Sequence, residues 1–259
     1  MRTLFCRILL NDNASTMLFT TAAVASRTDL PTILHEDNHI LVVQKPSGML
    51  TQGGEQRGDK NNLLDIMKKH IKITKCKPGE PYLGLVHRLD LHTSGIVVFG
   101  KTSKASGRLS ELFSSRKISK RYTCMVQGRV LNGQYLRNDI IVGGFRTPTI
   151  VIEPGSKYCE YNSDTTSVEA ILQFSPLLHL TAANTRAGSL GNNSITILDV
   201  TLDTGRKHQI RSQLAAIGHP IVGDTMYGAA AVCDSTGRTL IALHNYYLGF
   251  PHIINKVSS

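Results

Sequence analysis

A single carboxylate, Asp90, lies in a short polar stretch between two apolar runs, residues 83–86 and 96–99. Arg88 stands just before it, and the turn-forming sequence Thr-Ser-Gly follows at residues 93–95. An acidic side chain enclosed in this way is suited to act as a nucleophile or a general base. The alternative is a tight loop in which the carboxylate only accepts backbone N–H groups. This stretch alone leaves both interpretations open.

A basic run at residues 116–121 leads into Tyr122, and this combination could also carry chemistry. Cations that bind phosphates beside an aromatic ring are typical of proteins that hold an unstacked base. A tyrosine at the start of a strand is, however, also an ordinary core residue. Arg211 has two interpretations as well. It lies beside the apolar stripe of a predicted helix, where it could pair with a carboxylate or be a solvated surface charge.

The elements that must position these residues are a mixture of strands and helices. Runs of β-branched or alternating apolar residues predict strands, and apolar residues three and four apart predict helices. Because the strand runs outnumber the helices and often follow one another directly, we predict an α+β fold with a largely antiparallel sheet. The predicted strands are 40–44, 96–100, 122–127, 150–153, 168–174 and 195–202, the predicted helices are 62–71, 104–113 and 206–217, and the predicted surface loops are 53–62, 143–163 and 183–194.

Composition favours an anionic partner. The chain has 259 residues, 41% of them hydrophobic, which is enough for one large domain or two small ones. Its formal net charge is +10 and its pI is near 9.5, a balance typical of nucleic-acid-binding proteins and also found in basic proteins without such a partner. No apolar run approaches the length needed to cross a bilayer.

Metal chemistry is not expected. The five cysteines are widely scattered, and neither they nor the ten histidines show metal-ligand spacing. We predict no metal site, and we interpret the cysteines as the reduced thiols of an intracellular protein.

The first thirty residues differ from the rest of the chain. They are rich in Ser, Thr and Ala, contain three arginines, and have Asp12 and Asp29 as their only acids. This composition is typical of an organellar transit peptide, for which mitochondria are one destination, and a frayed N-terminus is the alternative. Without such an address the protein would be cytoplasmic or nuclear. We predict a single catalytic domain over residues 31–259.

The sequence GLVHRLDLHTSG at residues 84–95 resembles the HRLDxxTSG signature of the RluA-type pseudouridine synthases. Three further segments resemble motifs of that family in the same order, and together they cover roughly residues 33 to 252. The chain departs from the common pattern at Leu91 and His92. The three segments are residues 33–50, with Lys-Pro-Ser-Gly near their end; residues 117–128, with Lys-Arg-Tyr; and residues 204–228, with Thr-Gly-Arg-Lys-His-Gln-Ile-Arg and Gly-Asp-Thr-Met-Tyr-Gly, followed by a closing segment at 243–252.

The resemblance implies the pseudouridine synthase fold, a bent, mixed but largely antiparallel sheet with flanking helices and a central cleft. It implies an RNA substrate with a flipped-out uridine that is isomerised without a cofactor. Asp90 would be the nucleophile or base, Tyr122 would stack on the uracil, and Arg211 would pair with Asp90. Attack on C1′, glycal formation and addition to C6 remain open as routes. Substrate contacts are implied for Lys45, Arg88, Thr93, Lys117, Lys120, Arg121, Lys207 and His208.

Two other classes of protein would share these features. One is a non-catalytic RNA-binding protein that keeps the fold, and the other is a base-flipping hydrolase that releases free uracil. Many members of the family carry an additional N-terminal RNA-binding domain of the S4 type, for which too little chain precedes Ile33. RNA binding is therefore assigned to the catalytic domain, which we expect to act as a monomer.

Overall fold

The computed structural model describes residues 16–20, 31–53, 61–76, 78–142, 147–152, 167–181, 194–234 and 236–253, with side chains from residue 31 onward. The chain divides into two compact units. The first unit comprises Met1–Lys120 and His244–Ser259, and the second comprises Arg121–Leu243. Among the described residues, none of the helices has the length and apolar character that crossing a membrane requires.

The first unit contains a sheet whose centre is fully buried. Its strands are β1 (Thr16–Thr20), β2 (Thr32–Glu36), β3 (Ile40–Lys45), β4 (Gly84–Leu85), β5 (Ser94–Gly100) and β11 (Leu243–Pro251). They follow the order β2-β3-β5-β11, with β1 on β11 and β4 on β5. β3 and β5 pair antiparallel, and both are almost entirely apolar and buried, which is typical of strands covered on both faces. β5 and β11 pair in parallel.

In the part of the first unit that the structure describes, two helices flank the strands in sequence. α1 (Leu63–Thr74) begins at Asn62, whose side chain accepts from the Asp65 N–H, and α2 (Ser103–Ser114) begins at Thr102, whose side chain accepts from the Ala105 N–H. Such N-caps satisfy donors that a helix start leaves unpaired. The core of the unit is formed mainly by residues of β3, β5, α2 and β11: Ile40, Val42, Ile96, Val98, Ala105, Leu109, Ile118, Leu248, Phe250 and Ile253.

The described residues of the second unit form a further run of strands, an α-helix and a short 3-10 helix at Thr225–Tyr227. β6 (Ser119–Gln127), β7 (Gln134–Ile141), β8 (Ile150–Ile152), β9 (Ser167–Leu180) and β10 (Ile195–Leu202) follow the order β6-β10-β9-β7-β8. The pairs β10–β9, β7–β9 and β7–β8 are antiparallel. The helix α3 (Gln209–Ala216) is buried over six consecutive positions, so it is not an amphipathic surface helix.

The predicted α+β class with a mostly antiparallel sheet is confirmed. The six predicted strands and three predicted helices are present, and α3 starts three residues later than predicted because His208 takes a left-handed conformation with φ 54°. The sequence did not predict β7, whose first half is largely exposed, or the strands β1, β2, β4 and β11. Glu153 and most of the three predicted loops lie outside the described residues.

Candidate active site

The backbone on both sides of Asp90 is fixed by hydrogen bonds. Thr51 Oγ1, from the segment that follows β3, donates to the carbonyl of Leu89 at 2.8 Å and accepts from the Leu89 N–H at 3.2 Å. On the other side, the Thr93 N–H donates to the Asp90 carbonyl at 3.2 Å and closes a turn. Thr51 and Thr93 are both buried. The Asp90 side chain thus projects from a backbone that has little freedom to move.

Lys45 is the main clamp of this loop. The residue is 0% exposed, and its ammonium donates to the carbonyls of Pro46, Met49 and Leu91 at 3.0, 2.8 and 3.1 Å. Because an ammonium carries three N–H groups, these carbonyls account for all its donors. Burial lowers the pKa of Lys45 to about 7, and the Asp90 carboxylate acts in the opposite direction. The structure therefore places Lys45 inside the loop and not where a substrate could contact it.

Two more hydrogen bonds join the same segments. The Gly48 N–H donates to the Leu91 carbonyl at 2.9 Å, and Ser47 Oγ donates to the His92 carbonyl at 2.8 Å. Residues 45–51 thereby bind the chain on both sides of Asp90. A carboxylate carried on a fixed backbone needs less reorganisation before it reacts, which is a property expected of a catalytic group.

His87 braces the start of the loop. Its Nε2 accepts from the Val98 N–H at 3.0 Å, and its ring stacks on Phe113 with 4.6 Å between the ring centres. Burial lowers the pKa of the His87 imidazole to about 3, and the nearby Lys120 ammonium acts in the same direction. His87 is therefore a neutral acceptor that joins the Asp90 loop to β5 and α2.

We expect His87 to make stability sensitive to acid. Above pH of about 6.5 the ring is neutral in both states, and as pH falls toward 3 only the unfolded chain takes up the proton, so stability is lost. His87→Gln keeps a hydrogen-bond acceptor that does not titrate. It should therefore reduce the loss of unfolding free energy between pH 7 and pH 4 by about 2 kcal/mol. This figure is lower than a fully buried histidine would give, because His87 is partly exposed. Urea unfolding at both pH values measures the difference. His39→Gln is the matched control, and equal losses in both variants would contradict the assignment.

Three of the predicted RNA-contacting cations lie in or just before β6. Lys117 is exposed, Lys120 is partly exposed, and Arg121 forms an ion pair with Asp199. Lys117 also lines a surface cavity of about 230 Å³. Arg88, in the Asp90 loop, is exposed as well. These positions are compatible with phosphate contacts, which remain predictions.

Tyr122 lies on the buried face of β6. It is 8% exposed and shares that face with Cys124 and Val126, whereas its neighbour Arg121 is exposed. This burial is what a core tyrosine would show, so the stacking role implied by the family stays a prediction. Burial also raises the pKa of the Cys124 thiol, which excludes it as a nucleophile near neutral pH.

Arg211 is buried, so its interpretation as a solvated charge on the helix surface is wrong. Its side chain is 6% exposed, and its Nε and Nη2 groups donate to the two carboxylate oxygens of Asp224 at 2.6 and 2.8 Å. Asp224 is itself fully buried. This two-point contact matches the planar guanidinium to the carboxylate. Asp90 and Arg211 belong to different units, and their predicted pair stays a prediction.

Tyr227 completes the surroundings of Arg211. Its ring centre lies 5.1 Å from the Arg211 Cζ, and its hydroxyl accepts from the Thr149 N–H at 2.8 Å and lies 3.1 Å from Nδ1 of His208. Burial raises the pKa of the Tyr227 hydroxyl. The Lys207 carbonyl accepts from Thr149 Oγ1 at 3.0 Å. The structure therefore brings Arg211, Lys207 and His208 into one polar network.

Asp224, Tyr227, Thr51 and Thr149 belong to these networks and were not predicted as site residues from the sequence. Asp224 and Tyr227 lie in the Gly-Asp-Thr-Met-Tyr-Gly stretch of the last motif, which could have indicated them. Thr51 and Thr149 carry no such signal, because only the folded chain brings them to their partners. No group of three or more His, Cys, Asp and Glu side chains suited to a metal ion occurs within the described ranges.

Comparison with known proteins gives a consistent result. The family model described as RNA pseudouridylate synthase matches residues 39–216. An uncharacterized RNA pseudouridine synthase of Bacillus subtilis strain 168 is 30% identical over 202 residues, covering 77% of this chain and 58% of that protein. The ribosomal large subunit pseudouridine synthase D of Zymomonas mobilis is 29% identical over 235 residues, with 88% and 67% covered. The chain thus spans 58–67% of the length of these curated relatives.

One relative matches over most of both chains. The dual-specificity RNA pseudouridine synthase RluA of Pasteurella multocida is 29% identical over 224 residues, which is 86% of this chain and 88% of that one. Among solved structures, human RNA pseudouridylate synthase domain containing 4 superposes with a TM-score of 0.62 at 21% identity, covering 84% of this chain and 83% of that chain. The predicted fold is thereby confirmed.

Proposed function

Because this chain belongs to the RNA pseudouridylate synthase family, we propose that it isomerises uridine to pseudouridine in RNA, with Asp90 as the catalytic carboxylate. The observation that carries the proposal is the Asp90 loop, whose backbone is fixed from Leu89 to Thr93 by Lys45, Thr51 and their neighbours. A fully buried lysine and a buried threonine hold this backbone, which is more than a solvated turn requires.

The reaction needs few groups. The N1–C1′ bond breaks, C5 bonds to C1′, the proton on C5 is lost, and N1 gains a proton, so the overall change is an isomerisation that requires no cofactor. One carboxylate can serve each of the routes through C1′ attack, glycal formation or C6 addition. Tyr122 is proposed to stack on the uracil. Arg211 is proposed to pair with the Asp90 carboxylate and to stabilise its negative charge. The uridine has to leave its stack to reach such a site.

The direct test is product formation by the purified chain. Incubation with total RNA, followed by nucleoside mass spectrometry, should show pseudouridine rising at the expense of uridine. Free uracil as the product would indicate the base-flipping hydrolase, and RNA binding without either product would indicate a non-catalytic RNA-binding protein.

The substrate RNA is proposed to be ribosomal, transfer or messenger RNA. Large-subunit ribosomal RNA is the first candidate, because the Zymomonas mobilis relative bears the name of a ribosomal large subunit enzyme. Mapping pseudouridine in cells with and without the protein, across all three RNA classes, identifies the modified positions.

RNA affinity should fall steeply with salt, because bound cations release counterions from the phosphates. Replacing Lys117, Lys120 and Arg121 together by Gln should reduce the slope of log affinity against log salt by about 2. Titrations from low to physiological salt measure this slope. The control replaces three exposed lysines in or next to α1 and α2: Lys69, Lys75 and Lys104. If both triple variants reduced this slope equally, the whole protein charge would attract RNA, and residues 117–121 would not form a specific RNA-binding surface.

We further propose that the protein acts as a monomer. A second proposal is that the N-terminal thirty residues direct the protein to an organelle, with mitochondria as the first candidate. The transit-like composition supports the address. β1 lies within this segment and pairs with β11, so an address that is removed should end before Thr16. A fluorescent fusion of residues 1–30 that stays diffuse in the cytosol would exclude the address, and light scattering measures the mass of the purified protein.

A further inference from the structure

Arg211 is supported from two directions by side chains to which the family resemblance gave no role. Asp224 receives the Nε and Nη2 edge of the guanidinium in a bidentate contact, at 2.6 and 2.8 Å. Tyr227 presents its ring 5.1 Å from Cζ, within the range at which a cation is attracted to the face of an aromatic ring. These two contacts leave a guanidinium little freedom to rotate or to shift.

Both supports are themselves fixed by the backbone. Gly223 has φ +84° and passes so close to the chain that an added Cβ would overlap the Leu240 carbonyl. The Asp224 carbonyl accepts from the Tyr227 N–H at 3.0 Å and closes the turn that carries both residues. The Tyr227 hydroxyl is held by the Thr149 N–H. The position of the Arg211 guanidinium is therefore set by a rigid turn and not by its own flexible side chain.

We propose that Asp224 and Tyr227 are positioning residues that fix the Arg211 guanidinium for catalysis. The inference rests on the proposed function, in which Arg211 stabilises negative charge. Because Asp224 binds one edge of a planar group, it sets the direction in which the whole guanidinium faces. A permanently charged group directed in this way stabilises developing charge without reorganisation.

The test compares Asp224→Asn, Asp224→Glu and Tyr227→Leu with wild type. Asn places an amide N–H against an arginine N–H, and we expect kcat per folded molecule to fall by about 10²-fold, with KM for RNA changed by less than about threefold. Glu keeps the charge on a longer side chain, and should cost about tenfold in kcat. Loss of the ring in Tyr227→Leu should cost about tenfold as well. Asp139→Asn, an exposed change of the same type on β7, is the control.

A double-variant cycle separates positioning from general structural support. In an Arg211→Lys background, which lacks the planar fork, Asp224→Asn should cost less than about threefold in kcat because its effect passes through the guanidinium. A loss of about 10²-fold in that background would overturn the proposal. A folded Asp224→Asn variant with kcat close to that of wild type would overturn it too. If Asp224→Asn does not fold, Asp224→Glu with the kcat of wild type would overturn it equally.

A spectroscopic measurement tests the positioning geometry without relying on the proposed function. The Nε–H resonance of Arg211 should be protected from solvent exchange in wild type and should lose that protection in Asp224→Asn. If wild type makes no pseudouridine but the resonance behaves in this way, the proposed function fails and the positioning geometry stands. An Nε–H that exchanges equally fast in both proteins would overturn the positioning role.

Discussion

Asp90→Asn should abolish isomerisation while leaving the fold intact. Asparagine has the shape of aspartate but can act neither as a nucleophile nor as a base, and we expect pseudouridine formation to fall by at least about 10³-fold. The backbone clamps on Leu89 and Leu91 do not involve the Asp90 side chain, so the loop should keep its conformation. Initial rates of pseudouridine formation at saturating RNA measure the effect.

The same variant should still bind RNA. The cations in and before β6 are unchanged by it, and affinity should stay within about threefold of wild type at a fixed salt concentration. Asp139→Asn, which changes an exposed carboxylate of β7, serves as the control and should retain full activity. Product formation by Asp90→Asn at a rate near that of wild type would show that another group carries the chemistry.

Gly95→Ala should strongly destabilise the first unit. Gly95 has φ +127°, a conformation that side chains rarely adopt, and an added Cβ would overlap the backbone carbonyl of Asn245 on the neighbouring strand β11. Backbone strain and overpacking together should cost about 3 kcal/mol or more of the free energy of unfolding. A rotamer change cannot relieve the overlap, because the opposing atoms of Asn245 belong to the main chain. Urea unfolding at neutral pH measures the loss.

Gly107→Ala is a matched control with the opposite expected sign. Gly107 lies in α2, and an added Cβ there would meet nothing within 4 Å. Alanine should therefore stabilise the helix by about 0.5–1 kcal/mol. Equal effects of the two substitutions would contradict the account of the close approach of β5 and β11 at Gly95.

Local signals in the sequence determined the main elements and pointed to a candidate reacting group. Apolar runs predicted β3 and β5, because strands covered on both faces need apolar side chains at nearly every position. Apolar residues at helical spacing predicted α1 and α2, and the structure adds a capping side chain at the start of each. Asp90 was assigned as the reacting group because its stretch and three further motifs resemble those of the family, and this assignment stays a prediction.

Polar partners that are distant in the chain were decided only by the tertiary structure. Lys45 was predicted to contact the substrate, but its ammonium donates to the Leu91 carbonyl, 46 residues away in the chain. Thr51 likewise contacts Leu89 across 38 residues. Each contact depends on how β3 and the Asp90 loop pack, and no local pattern encodes that packing.

For Arg211 too, the sequence predicted the type of group, and only the structure showed its partner. The family resemblance implied that Arg211 pairs with Asp90, which stays a prediction, and the structure buries Arg211 against another carboxylate, Asp224. The last motif contains Asp224, but only the folded chain shows that this carboxylate contacts Arg211, because the contact depends on the turn that Gly223 allows beside Leu240. Chemistry can be predicted from residue types because reactivity is local, whereas the partners that orient a group are set by packing, which only the folded chain establishes.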